Sequence, residues 1–292
     1  MSSTRELAVT LERPSIQHAV LYGGLTYNSG MDVLMADSRR YGGSMRDLTD
    51  EMFVVDGSDS RGNAEYLPAT LTEVKEAAHI LDSIGVSVNL FTDSLGTESS
   101  LKALSGKHVE LLHLATHGFY WTEKQAALKN AKIRFLSAYR NQRPDDRVMV
   151  RSGLLFTGAN TALNGKEVPP DVDDGILTAR EITNLDLRGL SLLVLSACQT
   201  GLGDVQGDGV FGLQRGFKKA GAQSILMSLW SVDDEATHLL MNRFYDNLAA
   251  HMEKYDALRD AQHFVRAYVT PDGRSFAAPY YWAAFILLDA MD

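Results

Sequence analysis

Cys198 is the only thiol in the chain. It follows the apolar run Leu192-Leu193-Val194-Leu195 and opens into Gln199-Thr200-Gly201. A strand end holds a sulfur atom rigidly, and small neighbours leave room for a substrate carbonyl, so the placement suits a nucleophile. A second apolar run, Leu111-Leu112-His113-Leu114-Ala115, ends in Thr116-His117-Gly118. His117 and Cys198 stand 81 positions apart (198 − 117) and can work together only if the fold brings them to one edge. Side by side, His117 takes the thiol proton and later protonates the leaving amine, while the thiolate attacks a carbonyl. The backbone N–H groups of Gly118 and Cys198 are the candidate oxyanion donors, and an amide that approaches substrate closely favours glycine. A lone cysteine is also a common buried core residue. His113, inside its run, reads as a packed core histidine, and His79 and His238 fall in helical patterns.

The elements that must position this pair show as alternating strands and helices. Apolar runs at 19–25, 87–91, 109–115, 153–157, 192–196, 224–230 and 281–288 read as strands, most of them buried on both faces. Helical patterns occupy 71–84 behind Thr70 and Glu73, 177–184 with Thr178 and Glu181 at capping-box spacing, 209–220 and 234–249. Such alternation predicts an α/β fold: a mostly parallel central sheet with helices on both faces and ligands at the strand C-terminal ends. Met31 to Ala36 is a candidate short extra strand. Residues 121–151, rich in Lys and Arg, and 160–175, with Asn164-Gly165 and Pro169-Pro170, read as loop insertions at the surface.

Composition narrows the function. The chain of 292 residues carries 28 basic and 37 acidic side chains, a net charge of −9. That balance argues against direct binding to nucleic acid or anionic membrane, which needs a surplus of Lys and Arg. One cysteine excludes an intrachain disulfide and a thiolate-cage zinc site. It fits a reducing compartment, and no apolar run is long enough to span a bilayer, so the expectation is a cytoplasmic protein. Nothing in the sequence asks for a metal or cofactor. Gly201-Leu202-Gly203 with Gly207 loosely imitates a dinucleotide fingerprint. Asp204 and Asp208 in the same loop would oppose a pyrophosphate.

Six blocks in order carry a resemblance: Ala115-Thr116-His117-Gly118, Ser196-Ala197-Cys198-Gln199-Thr200-Gly201, Gly207-Asp208-Gly209-Val210, Leu213-Gln214-Arg215-Gly216-Phe217 with Ala220-Gly221-Ala222, Ser228-Leu229-Trp230-Ser231-Val232-Asp233-Asp234-Glu235-Ala236-Thr237, and Pro279-Tyr280-Tyr281-Trp282-Ala283-Ala284-Phe285. Together they resemble the CHAT domain of caspase-like and separase-like cysteine peptidases with the caspase-hemoglobinase fold. The resemblance implies residues 1–18 as an N-terminal extension and 19–292 as one peptidase domain. It implies a Cys-His dyad at Cys198 and His117, a protein substrate, and regulation by a separate activator or an N-terminal sensor module.

The resemblance also implies that substrate adds as a strand beside the segment after the 224–230 strand, which makes Trp230, Ser231 and Val232 candidate contacts. Asp204, Asp208, Asp233 and Asp234 bracket the place of the P1 side chain, the residue before the scissile bond. A carboxylate there selects Lys or Arg. Asp208, Asp233 and Asp234 equally suit helix caps and first turns. The matching loops hold no Arg for an aspartate at P1. A catalytically idle scaffold that binds a partner at its sheet edge is the alternative function. The basic insertion reads either as a site of self-cleavage or as a solvated loop.

Overall fold

The structure is a computed structural model that describes residues 16–42, 63–120, 149–196, 208–230 and 233–288. A six-stranded sheet, ordered β2-β1-β3-β7-β8-β9, forms its centre. The strands are β1 (His18–Leu25), β2 (Ser87–Asp93), β3 (Leu111–Leu114), β7 (Leu192–Leu195), β8 (Ser224–Ser228) and β9 (Phe285–Leu288). All pairs are parallel except β8 with β9. The fold is α/β. Along β7 the apolar side chains divide, Leu193 and Leu195 packing into one layer and Leu192 and Val194 into the other. Period-2 alternation with apolar residues on both faces produces the continuous hydrophobic runs of the sequence.

One face is covered by α2 (Pro68–Ser83), α7 (Asp234–Ala249) and α8 (Lys254–Ala267), which bury Val74, Leu240, Phe244 and Val265. The other carries α3 (Glu98–Lys102) and α6 (Asp208–Ala220), which bury Leu101 and Phe217. A Cβ on Gly23 of β1 would lie 2.5 Å from the carbonyl oxygen of Thr70, so glycine there lets α2 sit hard against the sheet.

Several expectations are corrected. Met31 to Ala36 belongs to a helix, α1 (Met31–Tyr41), not a strand. Its Asp32 and its Arg39-Arg40 pair suit the two ends of a helix dipole. The 153–157 run becomes β5 (Ser152–Leu155), which leaves the main sheet. With β4 (Gly118–Tyr120) and β6 (Ile176–Thr178) it forms a separate antiparallel sheet, ordered β4-β5-β6. The 281–288 run divides into a helical turn, α9 (Pro279–Trp282), and β9, because proline opens a helix well and Ala283 ends it. The capping box Thr178/Glu181 is present and starts α5 (Ala179–Ile182). Thr70 does not cap α2; its hydroxyl donates to the Leu67 carbonyl and accepts from the Gly24 N–H.

The 160–175 stretch is a surface loop only in part: Asn164, Lys166, Glu167, Pro170 and Asp171 are exposed, but the rest is tied to the core. It opens in α4 (Ala159–Leu163), and Asn160, Val168, Val172 and Asp173 are all buried. Charge holds it down: Lys102 Nζ lies 2.6 Å from Glu98, 2.8 Å from Asp173 and 3.0 Å from Glu181. Glu98 also accepts the Gly175 N–H at 2.9 Å. Burial, with Asp173 and Glu181 close by, pushes the Glu98 carboxyl well above its ordinary value against the pull of Lys102. Most of the 121–151 insertion, and residues 1–15 of the N-terminal extension, lie outside the described residues.

Candidate active site

The site begins at a register match. Leu114 of β3 pairs with Leu195 of β7 in the parallel ladder. His117 follows Leu114 by three residues, and Cys198 follows Leu195 by three. Adjacent strands run about 4.8 Å apart, so the two chain segments leave the sheet at one height and side by side. Cys198 itself lies outside the described residues, as do Asp204, Ser231 and Val232. Asp208 is the first residue of α6.

His117 is held from several directions. Its carbonyl oxygen accepts the Leu155 N–H at 2.9 Å, and its own N–H points to Tyr27 Oη at 3.4 Å. The Tyr27 ring lies 5.0 Å from the imidazole, and burial pushes its phenol up to about 12, so the hydroxyl keeps its proton. Nε2 of His117 sits 2.7 Å from the backbone oxygen of Glu65. A carbonyl oxygen only accepts, so Nε2 carries the proton and Nδ1 is left as the basic nitrogen of the neutral ring. Nδ1 is buried and has no hydrogen-bond partner among the described residues. Burial also lowers the His117 pKa, against the upward pull of the Glu65 carbonyl. The ring is therefore a neutral base whose lone pair is unspent among the described residues.

The residue before Glu65, Ala64, is clamped on both its main-chain groups. Asn160, 2% exposed, accepts the Ala64 N–H at 2.8 Å and donates Nδ2 to the Ala64 oxygen at 2.9 Å and to Asn28 Oδ1 at 2.7 Å. The sequence gives no signal for this clamp, since its partners are the Ala64 main chain 96 positions away and the Asn28 side chain 132 positions away. Gly118 stands opposite Leu154 in β4. The Leu155 N–H goes to the His117 oxygen, so Gly118 and Leu154 form the pair that exchanges no hydrogen bonds, and the Gly118 N–H turns away from β5.

A cleft opens beside this edge. Its near wall is the start of α2, Leu67 to Thr70 with Glu73. Its back is made of Thr116, Ser196 and Ser228 at the ends of β3, β7 and β8, and its far wall of Asp234, Thr237 and His238 from α7. His113 is fully buried, as expected, with Nδ1 2.9 Å from Tyr245 Oη and Nε2 3.2 Å from Ser196 Oγ. Of the acids named from sequence, Asp234 lines the cleft. Asp233 caps α7, accepting the Ala236 N–H at 3.1 Å, and pairs with Arg274 at 3.2 Å. Trp230 lies past the end of β8, which stops at Ser228; its indole N–H donates to the Tyr280 oxygen at 3.2 Å. Glu73, which the sequence places with Thr70 at a helix start, is not legible there as a site residue, because a carboxylate early in a helical pattern reads as capping.

Among the described residues no group of His, Cys, Asp and Glu could hold a metal ion, and no helix is long and apolar enough to cross a membrane. The chain is 34% identical over 119 residues to tetratricopeptide repeat protein 28 of Homo sapiens, and 34% identical over 120 residues to the same protein of Mus musculus. The matched segment is 41% of this chain and 5% of those proteins, so the chain spans a small fraction of the relatives' length. The crystal structure of protein GSU0716 from Geobacter sulfurreducens is similar over 93% of both chains, with 13% identity and a TM-score of 0.39. Residues 2–290 match the family described as the CHAT domain, a caspase-like, peptidase-related domain, and the chain belongs to that family.

Proposed function

We propose that this chain is a cysteine endopeptidase in which Cys198 is the nucleophile and His117 the base. The observation that carries the reading is the His117 ring: Nε2 is spent on the Glu65 carbonyl, while Nδ1 is left as the basic nitrogen, buried and without a partner among the described residues. A ring poised in this way at the end of β3 beside the strand leading to Cys198 can take a thiol proton and return it to a leaving amine. The Gly118 amide, turned away from β5, supports its role as an oxyanion donor together with the Cys198 amide. A protein substrate would lie along the segment Trp230 to Val232, with its P1 side chain entering the cleft. Asp234 on the cleft wall, with Asp204 and Asp208 further candidates, favours a basic residue there.

The reading extends to regulation. The curated relatives are tetratricopeptide repeat proteins whose length is mostly outside the matched segment. That composition fits a peptidase that serves as the effector of a system whose sensor or activator is a separate module. The experiment is cleavage-site profiling by mass spectrometry on a denatured peptide library, with the protein beside its Cys198→Ala and His117→Ala variants. Cuts after Lys or Arg that vanish in both variants are expected. Cuts that persist unchanged in either variant overturn the dyad.

A further inference from the structure

One carboxylate near the site has no use in the dyad. Glu73 is 5% exposed and lines the cleft. Its buried Oε1 has no hydrogen bond among the described residues. The nearest cationic candidate, His113 Nε2, lies 3.0 Å from that oxygen without the alignment of a hydrogen bond. A buried carboxylate is costly to leave unpaired, so a native fold that keeps one facing a cleft has a partner for it. On its other side, His113 Nδ1 lies 2.9 Å from Tyr245 Oη. Both His113 and Tyr245 are fully buried, so the core backs the carboxylate on that side.

The remaining lining says what the partner is. Among the described residues it contains no Lys and no Arg. His238 on the far wall faces Glu76, 3.3 Å away, outside the lining. A second carboxylate, Asp234, stands exposed on that wall and forms no ion pair among the described residues. Ser196 sits at the back and Leu67 offers apolar surface, whereas the Thr116 hydroxyl is spent on the Leu155 oxygen and Tyr27 Oη. Apolar surface, a serine hydroxyl and a buried carboxylate complement a long aliphatic stem that ends in several N–H donors. The start of α2, with no acidic residue in its first turn and no side-chain cap, would by itself attract an anion. A helix end amounts to about half a charge, and two carboxylates outweigh it.

We propose that Glu73 is the residue that selects the P1 side chain, its carboxylate receiving the ammonium or guanidinium of a lysine or arginine, with Asp234 as an outer contact. The assignment rests on the peptidase reading, since it takes the cleft for the P1 pocket. The location is consistent with that use: Thr116 adjoins His117 and Ser196 precedes Cys198 by two residues, so the cleft starts one step from the reacting atoms.

Binding tests the assignment without turnover. Nα-acetyl-arginine methylamide and its neutral citrulline counterpart are titrated by NMR into the Cys198→Ala protein, with Glu73 intact and as Glu73→Gln. The expected result is binding of the arginine compound at least tenfold tighter than the citrulline compound, with the preference lost in Glu73→Gln and reduced in Asp234→Asn. Equal binding of the two compounds, or a preference that survives Glu73→Gln, overturns the proposal. Where Glu73→Gln does not fold, Ala69→Lys on the cleft wall tethers a cation within reach and is expected to block the arginine compound; undiminished binding there overturns the proposal as well. Failure of the peptidase reading shows differently, as cuts that persist in Cys198→Ala. Cuts that need Cys198 but keep the same P1 residues in Glu73→Gln leave the peptidase standing and remove Glu73 from its pocket.

Discussion

Leu114 and Leu195 face each other in the ladder between β3 and β7, and each is followed three residues later by one half of the proposed dyad. The parallel register thus makes the chain leave β3 toward position 117 and β7 toward position 198 at the same height. It also makes the His117 environment the place where the account can be tested most finely.

The first prediction concerns pH. Burial lowers the His117 pKa, so the ring stays neutral to a more acidic pH than a free imidazole, about 6.5. The acid limb of kcat/KM against pH is expected below that value. Stability shifts with the same sign: it is intact above the unfolded value and falls as pH drops toward the lowered folded one, because charging the ring requires unfolding. Rate profiles with a cleaved reporter peptide, and denaturant melts from pH 7 to pH 5, check both.

Asn160→Ala is expected to act at a distance. It removes the clamp on Ala64 and frees the Glu65 carbonyl that sets the His117 tautomer. A buried amide with three bonded groups costs about 1–3 kcal/mol to remove. The kcat is expected to fall more than KM changes, with the acid limb of the pH profile displaced. A pure loss of stability with an unchanged kcat and pH profile would make the clamp merely structural.

How much of this was legible from residue types alone differs by element. The strands of the central sheet were, because runs such as Leu192 to Leu195 are apolar on both faces and only a doubly covered strand needs that. Met31 to Ala36 was not, since a short mixed segment has no period to separate helix from strand. In residues 160–175 the turn signals hold for 164–171, but Val168 and Val172 pack into the core and Asp173 pairs with Lys102, tertiary events with no local trace. The dyad positions stood out because His and Cys end apolar runs. Glu65, Asn160 and Glu73 did not, since a backbone carbonyl has no sequence identity and the others become informative only when their neighbours are known.

The two neighbouring acids of α7 are expected to separate. Asp233→Ala loses the cap on Ala236 and the contact with Arg274, and about 1 kcal/mol of stability should go with it. Asp234→Asn leaves cap and fold untouched and should weaken selection of basic P1 residues. Melting temperature and cleavage-site profiles of the two variants, compared side by side, decide the matter.

Lys102→Met leaves three carboxylates without their shared cation, and an uncompensated buried charge costs about 3–5 kcal/mol. The Glu98 carboxyl is already raised, so in the folded state it binds a proton more readily than when unfolded. Its contribution is therefore present at low pH and lost as pH rises. The deficit of Lys102→Met should accordingly be larger at pH 8 than at pH 5 in urea denaturation.

The most direct test of the central claim uses the sole thiol as its own reporter. Iodoacetamide alkylation of Cys198, followed by intact mass from pH 5 to pH 9, reads the thiolate without substrate or activator. The account predicts that His117→Ala slows alkylation at neutral pH by tenfold or more and moves the rate profile toward the ordinary thiol range, about 8.5. Identical rates and profiles in the two proteins would contradict a His117 that activates Cys198.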